Sequence, residues 1–209
     1  LLPTCFAFSI GTFPIFLRLR APDWPVKTIA AVYSLGVILF ISGLAAENFG
    51  SNVGLQKLKV IGVIIRTGAV LWLVFEIDLL RFRAPWYRKF RDNEDRSNSP
   101  PRRSAGDYGQ FGNFEWLLYS AYGWLCFAEC AEVLNLFNSQ LINASIVRHL
   151  YLLGFVTQLI LGMAVRMVPG FLGKNRIAYP GLVRLSFGFI LLAVIGRTFP
   201  LIFSALNNV

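Results

Sequence analysis

Six apolar segments, and the side on which the basic residues between them fall, constrain this chain more than any other feature of its sequence. The segments cover residues 1–17, 28–46, 60–80, 114–134, 146–165 and 182–205. Each is close to the ~20 residues that carry a helix across ~30 Å of hydrocarbon. Counting Arg184, at the edge of the sixth segment, with the connection it adjoins, the first, third and fifth connections hold three, eight and four Lys or Arg residues, fifteen of the twenty in the chain. The even-numbered connections hold only Lys57 and Lys59, with Arg148 at the edge of the fifth segment counted beside them, while Arg66 and Arg197 fall deeper inside segments. The positive-inside rule turns this split into a topology: an all-α bundle of six transmembrane helices in a bacterial inner (cytoplasmic) membrane, with both ends of the sequence outside.

Composition agrees with the pattern. With 56% hydrophobic and 15% charged residues among 209, the chain is too apolar for a soluble domain of its size. A net charge of +9 raises nucleic acid as a partner. The basic residues, however, flank hydrophobic spans in short loops, where topology and anionic lipid account for them, so lipids and other membrane subunits are the expected partners and nucleic acid is not. The first segment has no basic leader and no small-residue cleavage site, so it reads as a span and not as a signal peptide; a further helix upstream would put the N-terminus in the cytoplasm.

The stretch from Arg83 to Phe111 is the one long polar run, rich in Asp, Asn, Ser and Pro. It divides the chain into a three-helix half at 1–83, a polar cytoplasmic loop at 84–112 and a second three-helix half at 113–209. The other connections are short, which predicts antiparallel neighbours. Gly36, Gly43, Gly154 and Gly162 lie inside spans, where small residues allow close helix contact. Cys126 and Cys130 share a helix face, and reading them as packing residues requires nothing further.

Two features point to chemistry. His149, the single histidine, opens the fifth segment near the outer face, and imidazole is the usual axial ligand of a haem iron or a chlorophyll magnesium. Met163 stands fourteen residues on, about 21 Å along the helix axis, too far to share that metal. A copper centre built from several histidines is excluded by the count.

The second feature is buried charge. Helical rise places Arg66, Glu129 and Arg197 at similar depths, roughly 7–12 Å below the outer boundary, with Glu132 a turn nearer the surface. Intramembrane charges persist when paired, so Arg66 or Arg197 is expected to face Glu129. Two arginines for one deep carboxylate leave a positive charge over, which suits an anionic group such as a haem propionate beside His149. Arg66, Arg197 and Arg148 are therefore candidate cofactor-binding residues, and His149 the candidate metal ligand. Glu76, Asp78 and Glu115 at the inner helix ends read as charge partners of Arg81, Arg83 and Arg88.

The run Arg148-His149-Leu150-Tyr151-Leu152-Leu153-Gly154-Phe155, followed by Leu161-Gly162-Met163-Ala164-Val165-Arg166, resembles the C-terminal region of the NnrS family. Ile195-Gly196-Arg197-Thr198-Phe199-Pro200-Leu201 is similar to that family's next helix, so the resemblance is strongest over residues 145–205. It implies a polytopic membrane protein associated with haem and copper and linked to nitric oxide and denitrification stress. The family's Gly-His-Thr-Gly-Arg turn is here Gly170-Phe171-Leu172-Gly173-Lys174, which removes a second histidine and speaks against copper. The expected function is a non-catalytic integral subunit that scaffolds a respiratory or photosynthetic electron-transfer complex and holds at most one tetrapyrrole, haem or another, through His149. The alternative is an autonomous haem protein of the nitric oxide response; a transporter is a third reading, for which the segments offer no Gly/Pro break at mid-depth.

Overall fold

The structure, a computed structural model, describes residues 2–16, 25–48, 53–76, 112–137, 144–173 and 177–207, and among them it contains helices and no strand. The polar loop, with the Arg partners expected for Glu76 and Glu115, lies outside the described residues. The helices are α1 (Leu2–Phe16), α2 (Val26–Asn48), α3 (Val53–Glu76), α4 (Glu115–Phe137), α5 and α6 (Pro180–Asn207). Helix α5 runs without a break through three stretches: α-helical Ala144–His149, π-helical Leu150–Thr157 and α-helical Gln158–Phe171.

Among the described residues four stretches are long and apolar enough to cross a membrane: Val26–Glu47, Lys57–Glu76, Ser145–Pro169 and Pro180–Pro200. The chain is an integral membrane protein. Helix α4 has 23 residues, but Glu129, Glu132 and its Tyr and Ser residues dilute its apolar character. Its position explains why: Leu117, Leu118, Ala121, Tyr122, Leu125, Ala128 and Glu129 are all buried, so α4 faces other helices over much of its circumference. It packs against α3 and α5, Tyr122 donates to the Ser9 hydroxyl of α1 at 2.6 Å, and Trp116 meets Phe187 of α6 edge-on.

Local sequence explains the helix ends. Gly112 and Asn113, both at positive φ, turn the chain into α4, and a Cβ on Gly112 would sit 2.2 Å from the Pro180 carbonyl oxygen, so only glycine lets this turn rest on the start of α6. Pro180 occupies the first helical position of α6, where its missing N–H is no loss. Gly173 at φ 63° closes α5 after Leu172 N–H donates to the Val168 carbonyl.

The glycines read as contact points are contact points. A Cβ on Gly43 would lie 2.3 Å from the Lys59 nitrogen, one on Gly36 2.8 Å from the Arg66 nitrogen, and one on Gly62 2.4 Å from the Phe40 nitrogen, so α2 and α3 pack nearly backbone to backbone. Gly154 and Gly162 bring α5 against Trp124 and Leu118 of α4 in the same way. Helix α6 is the least enclosed, with Leu182, Leu185, Phe189, Leu192 and Phe199 exposed along one stripe.

Candidate functional site

Arg66 projects from α3 into the interior with 3% of its surface exposed. The apolar stretch of α3 opens at Lys57, three residues before the sequence bound, and Lys59 reaches back to Glu47 at the end of α2 at 2.8 Å. Counted from Lys57, Arg66 lies about 14 Å along this apolar stretch, further in than the sequence estimate.

A carboxylate meets it there. Glu129 of α4 is fully buried, and its Oε2 accepts from Arg66 Nε at 2.7 Å and from the Thr67 hydroxyl at 3.4 Å. Its Oε1 accepts from the Tyr33 hydroxyl of α2 at 3.4 Å. Arg66 Nη2 spends its two hydrogens on Glu132 Oε2 and on the Tyr151 hydroxyl of α5, the latter at 2.9 Å. The guanidinium also lies 5.2 Å from the Phe40 ring centroid and 5.6 Å from that of Tyr151, within cation–π range. Side chains of α2, α4 and α5 therefore converge on the α3 cation, α4 and α5 through hydrogen bonds to Nε and Nη2 and α2 through the Phe40 ring.

This geometry decides which arginine faces Glu129: it is Arg66. It also corrects the charge count. The sequence reading left a positive surplus at this depth, but Glu132 turns inward to the same guanidinium, so the centre holds two carboxylates and one cation. Residues 129 and 132 are one turn apart and project on adjacent directions of α4, which is enough for both to reach a single arginine.

His149 forms a second, separate arrangement at the start of the π-helical stretch. Its Nδ1 lies 2.6 Å from the Ser145 carbonyl oxygen one turn back, and its Nε2 is 3.2 Å from Arg197 Nε of α6. Arg Nε is always a donor, so Nε2 carries the lone pair and Nδ1 the proton. Arg197 is exposed, and Arg148 is exposed on α5 beside His149, turned about 100° from it. Of the four candidate residues, then, His149 and Arg197 are brought together, Arg148 adjoins them in sequence, and Arg66 belongs to the carboxylate centre. Tyr151, two residues beyond His149, joins the two arrangements along one turn of α5.

The π-helical stretch had no announced signal in the sequence. Gly154 pressed on Trp124, and the Thr157 hydroxyl donating to the Leu152 carbonyl five residues back, are its local accompaniments. Among the described residues no group of three or more His, Cys, Asp or Glu side chains gathers to hold a metal ion. Cys5, Cys126 and Cys130 are free thiols.

Residues 112–208 match the NnrS protein family. The match takes in α4, α5 and α6, a longer stretch than the run of recognisable residues from 145 to 205. No curated protein and no solved structure matches the chain. Of the carboxylate centre, the NnrS segment contributes Glu129, Glu132 and Tyr151, while Tyr33, Arg66 and Thr67 come from the helices before it.

Proposed function

We propose that this chain is a six-pass, NnrS-like protein of a bacterial inner membrane in which His149 is the single axial ligand of a tetrapyrrole. It acts as a non-catalytic subunit of a larger electron-transfer assembly. The observation that carries the reading is the tautomer of His149. Ligating imidazoles almost always donate their second nitrogen to a carbonyl or carboxylate, which fixes the ring and raises its basicity; Nδ1 at 2.6 Å from the Ser145 carbonyl supplies that partner and leaves Nε2 as the donor atom.

One imidazole without companions does not suit a copper or zinc centre, whose ligands all come from side chains, but it suits a macrocycle that brings four nitrogens of its own. A bound haem would supply one-electron exchange. The chain's own part is to hold Nε2 outward at the end of an apolar span and to keep cations near it. Were a metal held on that lone pair, Arg197 would be released from Nε2 and its guanidinium would be free to hold a propionate. Arg148, one residue earlier, adds a second positive charge on the same outer end.

The scaffold role draws on α6, whose exposed stripe of Leu182, Leu185, Phe189, Leu192 and Phe199 offers an apolar face to lipid or to another subunit's helix. The orientation draws on the fifteen basic residues of the odd connections. The alternative reading, which rests on what the resemblance to NnrS implies, is an autonomous haem protein of the nitric oxide response.

The test is an absorption spectrum, oxidised and reduced, of the native protein beside His149→Ala. A Soret or bacteriochlorophyll band lost in the variant supports axial ligation. A Soret band in protein expressed without partners selects the autonomous reading. Absence of pigment from both samples overturns the tetrapyrrole.

A further inference from the structure

Helix α5 carries an inference that does not depend on any cofactor. His149 and Gln158, which bracket the π-helical stretch, both have right-handed helical backbone angles, so the helix passes through it without a break. Bonds from an N–H to the carbonyl five residues back enclose one residue more than the α-helical bonds on either side. A helix that enters and leaves such a stretch therefore holds one residue more than an α-helix joining the same two faces, and one residue is about 100° of turn. We propose that this extra residue sets the direction of His149 and Tyr151: it lets the N-terminal end of α5 meet Arg197 and Arg66 while the rest of the helix lies on α4.

Contacts on both sides fix the two faces. At the start of the stretch His149 Nε2 is 3.2 Å from Arg197 Nε of α6, and the Tyr151 hydroxyl accepts from Arg66 Nη2 of α3 at 2.9 Å. Further along, Gly154 rests on Trp124, Gln158 Oε1 accepts from the Ser120 hydroxyl, and Gly162 rests on Leu117 and Leu118, all of α4. With α-helical bonding throughout, the same sequence would turn the first set about 100° relative to the second. Tyr151 and His149 would then lose Arg66 and Arg197 together. The packing, and not local satisfaction, holds the stretch: where it ends, Gln158 is fully buried and its Nε2 has no hydrogen-bond partner. A buried donor left without a partner costs stability, and the contacts at the two ends are what offset it.

Two single-residue deletions in the full chain, purified in detergent, test this. Leu152 lies in the π-helical stretch and Ile160 in the α-helical part; both are exposed, so neither deletion removes a buried side chain. Deleting Leu152 should turn the stretch into α-helix and keep both faces, whereas deleting Ile160 should swing one face off its partners. Thermal unfolding followed by circular dichroism reads the fold. The chain has a single histidine, so 15N labelling of histidine gives one imidazole signal that reads the direction of His149. The native Nε2 resonance should shift in Arg197→Gln. The protein lacking Leu152 should melt at or above the native temperature and keep that response to Arg197→Gln; the protein lacking Ile160 should melt lower and lose it. A native imidazole that ignores Arg197→Gln, loss of the fold or of the response on deleting Leu152, or equal tolerance of the two deletions would each overturn the assignment.

Discussion

Arg66 Nε and Glu129 Oε2, 63 positions apart in sequence, meet at 2.7 Å, and around that contact α2, α3, α4 and α5 each place a polar side chain. The contact ties the segment that matches NnrS to α3, and Tyr33 of α2 joins it on Glu129. Removing one partner of a buried pair leaves an uncompensated charge, typically at about 3–5 kcal/mol. Arg66→Met should therefore destabilise the bundle by about that much. Arg66→Lys should fall between, because a single ammonium cannot reproduce the fork that reaches Glu129, Glu132 and Tyr151 together. Unfolding in mixed detergent, followed by circular dichroism, measures both; equal stability of all three proteins would mean that the contact contributes nothing.

The backbone contact between α2 and α3 predicts a graded response among glycines of one helix. A methyl group on Gly62 meets the Phe40 backbone at 2.4 Å, and backbone cannot turn aside as a side chain can. Gly62→Ala should force α2 and α3 apart and cost about 1–3 kcal/mol. On the same helix Gly68 has nothing within 4 Å of an added Cβ. Gly68→Ala should leave stability unchanged or raise it by up to about 1 kcal/mol through helix propensity alone. The same unfolding assay compares them.

What could be read in the sequence was what hydropathy, helical rise and charge determine. The six apolar runs correspond to the six helices within a few residues at most ends, and the widest departure, Val53 against residue 60, arises because Lys57 and Lys59 hide a helix start that is not apolar. Helical rise alone brought Arg66 and Glu129 to comparable depth. It could not rank Arg66 above Arg197, since depth says nothing of which way a side chain faces around the axis. Rise puts Glu132 a turn nearer the surface, but the long guanidinium of Arg66 reaches across that turn. Tyr33 and Tyr151 went unnoticed because a tyrosine in an apolar run costs little; their signal, a hydroxyl at the depth of a buried charge, becomes visible only once the charge is located. The π-helical stretch depends on packing against Trp124, and no residue pattern announces it.

Arg197 offers a test of the His149 arrangement that leaves the ligand in place. If its guanidinium moves from Nε2 to a propionate on cofactor binding, Arg197→Gln should keep the axial ligand and its band but loosen the cofactor. Loss of one charge-assisted hydrogen bond is worth about 1.5–3 kcal/mol, so haem titration should show affinity weakened roughly 10- to 100-fold. Unchanged affinity would leave Arg197 as a hydrogen-bond donor to His149 and nothing more.

The charge asymmetry makes a prediction about every connection at once. With Cys5, Cys126 and Cys130 replaced by Ala, single cysteines at Ser51 and Ser139 report on the second and fourth connections, and at Ser104 and Asn175 on the third and fifth. A membrane-impermeant thiol reagent applied to spheroplasts should label positions 51 and 139 at once, and positions 104 and 175 only after the membrane is opened. The order follows from energetics: eight basic residues in the third connection make its translocation far less favourable than that of the second, which carries two. Two consecutive connections labelled from the same side would remove the span between them. Because Glu129, Glu132 and the polar residues of α4 make it the least apolar of the long helices, the pair at Ser104 and Ser139, which brackets it, is the most exacting part of the experiment.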